Sequence, residues 1–108
     1  SKVKVGKGTI IYPGCNIDYR VKIKNNVLVN TGSTLCHDTI IGNHSYIGPS
    51  TALAGFVDIG QSCIIGINVT VIDNIKVCSN VQIGGGSVVC KNIVKKGLYV
   101  GNPTRFVR

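Results

Sequence analysis

The chain contains no methionine, no tryptophan and no glutamate, and its 108 residues include only four tyrosines and two phenylalanines. Six aromatic rings are too few to build a conventional ring-centred core. The four acidic residues, all aspartate, stand against twelve lysines and arginines, so the formal net charge is +8 and a partner carrying phosphates or carboxylates is expected. No apolar run approaches a membrane span, which excludes a transmembrane helix. No charged start leads through an apolar stretch to a small-residue cleavage site, which argues against a signal peptide. The missing methionine implies a processed or partial chain, with Ser1 left over from processing. The length suffices for one domain and no more.

What the sequence does hold is a repeat. Stepping by six from Val5 gives Val5, Ile11, Ile17, Ile23, Val29, Leu35, Ile41, Ile47, Leu53, Ile59, Ile65, Val71, Val77, Ile83 and Val89, without an insertion. Four residues after each lies an uncharged, mostly small residue, running from Thr9 and Cys15 through Ser33, Thr39, Ser45 and Thr51 to Ser87 and Ile93. The two classes sit two apart on a strand and point to the same side, so bulky and small residues alternate into one interior. All twelve lysines and arginines avoid both classes. Glycine follows the aliphatic residue at 6, 42, 48, 60, 66 and 84, where a corner with positive φ would favour it.

A short strand and a corner every six residues predict a triangular coil of 18 residues, stacked on its neighbours by parallel hydrogen bonding at about 4.8 Å per coil. Residues 5–94 then make five coils, roughly 24 Å tall at that spacing. Six matches no helical face, and β-branched residues dominate. The reading is all-β: a β-helix over 1–94 and a C-terminal extension over 95–108, with a turn at Gly101-Asn102-Pro103.

His37 falls at a corner, and its neighbours one coil away are Tyr19 and Gly55. A neutral imidazole is a competent general base near neutral pH. Asp38 beside it could fix the tautomer of the ring and raise its basicity. Gly55 could turn a backbone N–H toward an oxygen developing near His37. The second histidine, His44, reads as a solvated corner residue. Two histidines are too few for a zinc hydratase built on three. The five cysteines form no pair 18 apart and are odd in number, so reduced thiols, a cytoplasmic location and no metal site are expected. Nucleic-acid binding is disfavoured, since no aromatic platforms interleave with the basic residues.

The segments Val29-Asn30-Thr31-Gly32, Cys36-His37-Asp38, Leu53-Ala54-Gly55 with Val57 and Ile59-Gly60, Gly66-Ile67-Asn68, Gly84-Gly85-Gly86 and Val100-Gly101-Asn102-Pro103 resemble the hexapeptide-repeat acyltransferases. More narrowly, they resemble the branch of sialic-acid O-acetyltransferases and bacillosamine N-acetyltransferases. The resemblance implies a left-handed parallel β-helix, a homotrimer with active sites between protomers, and acetyl-CoA as co-substrate. It also implies a sugar or nucleotide-sugar acceptor, His37 as the base and Asp38 as its acidic neighbour. The Gly55 amide would then meet the acetyl carbonyl. Tyr46 stands where the family often has a histidine touching acetyl-CoA, and Ile67 and Gly85 match positions along the pantetheine arm. Of the basic residues, the late set that includes Lys95 and Arg105 is placed for the coenzyme's phosphates. The family's nucleotide-fold domain has no counterpart here, so the chain reads as a C-terminal piece or a shortened relative. The alternatives are a serine- or maltose-type acetyltransferase and a non-catalytic β-helix scaffold.

Overall fold

The structure is a computed structural model that describes residues 2–108; Ser1, the expected processing remnant, lies outside the described residues. The six-residue period becomes a succession of two-residue strands separated by corners, with no helix among the described residues. Three parallel sheets result. The first stacks β1 (Lys4–Val5), β4 (Lys22–Ile23), β7 (Ile40–Ile41), β10 (Asp58–Ile59) and β13 (Lys76–Val77). The second stacks β2 (Ile10–Ile11), β5 (Leu28–Val29), β8 (Tyr46–Ile47), β11 (Ile64–Ile65) and β14 (Val81–Ile83), then β16 (Gly97–Gly101) and β17 (Thr104–Phe106). The third stacks β3 (Asn16–Ile17), β6 (Thr34–Leu35), β9 (Ala52–Leu53), β12 (Thr70–Val71) and β15 (Val88–Val89). Partners lie 18 residues apart, as in Lys22 with Ile40, Leu28 with Tyr46 and Thr34 with Ala52. The chain is the β-helix of five triangular coils that the repeat predicts.

Both interior classes are buried from the second coil upward, with Leu35, Ile41, Ile47, Leu53, Ile59 and Ile65 wholly enclosed. Val5 and Ile11 in the first coil have no coil beneath them and stay exposed. The small class does more than fill space. Its hydroxyls donate to corner carbonyls 15 residues ahead: Ser33 to Gly48 at 2.9 Å, Thr39 to Ala54 at 3.1 Å, Ser45 to Gly60 at 2.7 Å and Thr51 to Gly66 at 2.8 Å. The thiols of Cys15 and Cys63 do the same toward Asn30 and Cys78. Each satisfies a backbone acceptor that burial would otherwise leave unpaired.

The glycines that follow the aliphatic residues do not have the positive φ expected of them. Positive φ falls three residues after the aliphatic, at Gly8, Gly14, Arg20, Asn26, Gly32, Asp38, His44, Ser50, Phe56, Ser62, Asn68, Asn74, Asn80 and Gly86. Gly42 and Gly48, one residue after the aliphatic, are glycines for want of room. A Cβ on either would lie 2.5 Å from the backbone of Gly60 or Gly66 in the next coil.

The 18-residue step holds as far as Val89. Ile93 then pairs with Val77 and Gly97 with Val81, a step of 16. Ile93, grouped by spacing with the small residues, therefore takes an aliphatic place. β16 extends the second sheet in parallel, and β17 folds back on it antiparallel through a turn with a cis Asn102–Pro103 bond. These two strands bring the long dimension to 35 Å, beyond the height expected of five coils.

Candidate active site

The corner joining the third sheet to the first stacks Tyr19, His37 and Gly55 in one column and Arg20, Asp38 and Phe56 in the next. Backbone bonds lock the coils together here: the Asp38 N–H donates to the Tyr19 carbonyl at 3.2 Å and the Phe56 N–H to the His37 carbonyl at 3.0 Å. The His37 Nδ1 lies 3.1 Å from Asp38 Oδ2. An ionised carboxylate can only accept, so Nδ1 carries a proton, and in the neutral imidazole Nε2 keeps its lone pair. Tyr19 stacks on one face of the imidazole, with centroids 5.7 Å apart and planes at 16°, while Phe56 meets it edge-on at 5.2 Å and 85°. The ring is thus oriented by a bond and two aromatic contacts, with its Nε2 edge over Gly55.

Gly55 is not a corner glycine in the conformational sense, since its φ lies outside the left-handed region. A Cβ there would come within 2.7 Å of both Nε2 and Cε1 of His37. The residue is glycine because the imidazole lies across it. Its N–H donates to no acceptor among the described residues.

Asp38 has two roles in the structure. Its φ of 62° makes it an ordinary left-handed corner residue, a conformation aspartate tolerates. Its carboxylate is also gripped by Arg20, with Nε 2.9 Å from Oδ1 and Nη2 3.1 Å from Oδ2. The hydrogen bonds from Arg20 first, and from His37 second, hold the Asp38 carboxyl below the ordinary carboxylate range. The Arg20 side chain is 56% exposed and that of Asp38 19%. The sequence reading missed this partner and counted Arg20 only among the basic residues. A step of 18 back from Asp38 reaches Arg20 as its neighbour in the coil below, but the bond between them depends on side-chain rotamers.

The remaining candidates do not share this corner within one protomer. Tyr46 projects from β8 on the second sheet and its hydroxyl accepts from Asn30 Nδ2 at 3.0 Å. Ile67 and Gly85 stack one coil apart at the corner between the second and third sheets, so close that a Cβ on Gly85 would lie 2.9 Å from Ile67 Cγ2. Lys95 places its ammonium 4.1 Å from the Phe106 ring centroid at the C-terminal end of the stack, and Arg105 sits opposite Val100 in the β16–β17 pair. His44 occupies a different corner, between the first and second sheets. An open groove of about 290 Å³ lies on the outer face of the third sheet, lined by small side chains such as Ala52, Ala54 and Thr70. That sheet joins the corner of His37 to the corner of Ile67 and Gly85.

Comparison with known proteins agrees with the repeat and the fold. The family described as bacterial transferase hexapeptide (six repeats) matches residues 20–55. The acetyltransferase domain of PglB from Neisseria gonorrhoeae superposes with a TM-score of 0.95 at 27% identity, over 97% of this chain and 51% of that one; the same domain is also known in complex with acetyl coenzyme A. UDP-3-O-acylglucosamine N-acyltransferase of Bordetella pertussis is 32% identical over 92% of this chain and 27% of its own length. Serine acetyltransferase of Staphylococcus aureus is 32% identical over 94% of this chain and 49% of its own length. The chain therefore spans between a quarter and a half of the curated relatives it matches.

Repeat, coil and relatives agree on a β-helix of hexapeptide repeats, similar to those of known acyltransferases. The resemblance to hexapeptide acetyltransferases read from the sequence holds at the level of the fold, with the PglB acetyltransferase domain as its structural counterpart.

Proposed function

We propose that the chain forms the catalytic β-helix of an acetyl-CoA-dependent acetyltransferase, with His37 as general base and a sugar or nucleotide-sugar hydroxyl or amine as acceptor. The observation that carries this reading is the imidazole itself, fixed through Nδ1 by Asp38 with an unpartnered Nε2 over a glycine that has no room for a side chain. As the acceptor oxygen or nitrogen attacks the thioester carbonyl, His37 Nε2 takes its proton, and the sulfur of coenzyme A leaves with the electrons of the broken C–S bond. The Gly55 N–H is offered to the carbonyl oxygen as its charge grows.

The separation of the candidates supports sites between protomers. One protomer supplies the corner of His37, Asp38 and Gly55; its neighbour in a homotrimer supplies Tyr46, Ile67 and Gly85, with Lys95 and Arg105 toward the coenzyme's phosphates. The outward residues of the sheets support this assembly. Those of the first sheet include Lys4, Lys22, Asp58 and Lys76, whereas those of β2, β5, β8 and β11 in the second are Ile10, Leu28, Tyr46 and Ile64, and those of the third are Asn16, Thr34, Ala52, Thr70 and Val88. The third face, and the second as far as β11, are thus uncharged and suited to burial. Five free thiols, two of them donating to interior carbonyls, fit a reducing compartment, the cytoplasm.

The equal identity to serine acetyltransferase favours serine as a second acceptor. The test is release of coenzyme A from acetyl-CoA against a panel of amino-sugar nucleotides, sialic acids and serine. Turnover with a sugar bears out the proposal, turnover with serine alone moves it to the second acceptor, and no turnover with any acceptor contradicts it.

A further inference from the structure

We propose that Arg20 is a positioning residue for this site: by holding both oxygens of Asp38 it sets the direction and the strength of that carboxylate's pull on the His37 imidazole. The proposal rests on the reading of His37 as the base.

Three observations converge on Arg20. The first is its grip. A carboxylate held at one oxygen can still turn about its bond to Cβ; held at Oδ1 and Oδ2 at 2.9 and 3.1 Å, its plane is fixed. Oδ2 is also the oxygen that accepts the hydrogen bond from the Nδ1–H of His37, so the plane of the carboxylate determines where the ring points. The second is the backbone. Of the fourteen left-handed corners, nine are filled by Gly, Asn or Asp, the residues that suit that region. The others are Arg20, His44, Ser50, Phe56 and Ser62; Arg20 and Phe56, both bulky, stand directly below and above Asp38, so backbone strain gathers around this site. The third is a second route to the ring. The Arg20 guanidinium lies 4.4 Å from the Tyr19 ring centroid, and Tyr19 stacks on His37. An exposed ion pair contributes little to stability, so fold stability does not account for a strained arginine here.

The electrostatic consequence has a definite sign. Arg20 neutralises part of the charge on Asp38. Without it the whole carboxylate charge faces His37 and favours the imidazolium form, which cannot accept a proton. The other groups around the ring do not supply this control. Tyr19 and Asp18 lie in the coil below, with Asp18 Oδ1 engaged by the Tyr19 N–H. Cys36 precedes His37 on its own coil. Gly55 and Phe56 in the coil above carry no charge. Asp73 lies two coils above His37, with its carboxylate bonded to Asn74.

The test compares wild type with Arg20→Ala and Arg20→Lys. In Arg20→Ala, kcat falls roughly 10-fold with KM for acetyl-CoA unchanged, and the acid limb of the pH–rate profile moves to higher pH. Arg20→Lys returns the charge without the two-point grip, so the acid limb moves back while kcat recovers only in part. Nitrogen NMR of the His37 ring reads the same effect without turnover: wild type holds the Nδ1–H tautomer, and Arg20→Ala shows a mixture with Nε2–H and takes up its proton at higher pH. The proposal is overturned if the tautomer, the ring titration and the acid limb of Arg20→Ala all coincide with wild type. If wild type acetylates no acceptor, the functional reading fails, and the ring NMR still decides the role of Arg20.

Discussion

At the scale of single residues, spacing by 18 locates neighbours but does not say which of them bond. His37, Tyr19 and Gly55 were legible as one column because the repeat has no insertion between them. The Arg20 grip was not, since it depends on rotamers in the adjacent column. Gly55 gives a clean test. Its φ suits any residue, so Gly55→Ala adds one methyl group against the imidazole and little else. Circular dichroism and thermal unfolding of that variant should match wild type, while coenzyme A release falls at least about 10-fold; full activity would mean that the ring needs no such place. Asp38 gives a second. Its carboxyl is held below the ordinary range, so the folded state resists protonation and the stabilising contribution is fully present above the unfolded value. It is lost as pH falls through the folded value. The difference in unfolding midpoint between wild type and Asp38→Asn should be small near pH 6, as an exposed pair dictates, and shrink further once the pH drops below about 4. A constant difference across that range would show that the ion pair does not stabilise the fold.

At the scale of strands and corners, hydrophobic period was enough to place every strand from Lys4 to Val89, because one aliphatic residue per side is the whole core. Corners were harder to read. Glycine has two distinct uses here, and the sequence does not separate them. Gly32 holds φ at 71° with no neighbour closer than 3.6 Å to a built Cβ, whereas Gly42 has an ordinary φ and backbone at 2.5 Å. Gly32→Ala should cost only the left-handed penalty, about 1–2 kcal/mol. Gly42→Ala must push two coils apart and should cost more, about 3 kcal/mol or beyond. Denaturant unfolding of the pair checks the order; the reverse order would contradict the close-approach explanation. The register change after Val89 also escaped the period. Ile93 suits either interior class, so nothing in its side chain marks the lost pair of residues.

At the scale of the whole molecule, a single β-helix places His37 and the other candidates on different corners, and in the proposed homotrimer a second copy would bring them together. Mixed assemblies test that division. His37→Ala disables one corner, and Ile67→Asp, which puts a charge on the Ile67–Gly85 corner, disables the other. Each homotrimer should be inactive, while co-refolded mixtures should regain a fraction of wild-type turnover from sites built of two intact corners. Mixtures as inactive as their parents would contradict shared sites, as would a stable monomer in sedimentation at micromolar concentration. The central claim remains the chemical role of His37, and the most direct measurement is the rate of coenzyme A release by His37→Ala beside a His44→Ala control. A general base predicts a loss of about 10²–10⁴-fold for His37→Ala with acetyl-CoA affinity nearly intact, and near wild-type turnover for His44→Ala. An active His37→Ala enzyme, or a dead His44→Ala one, would contradict it.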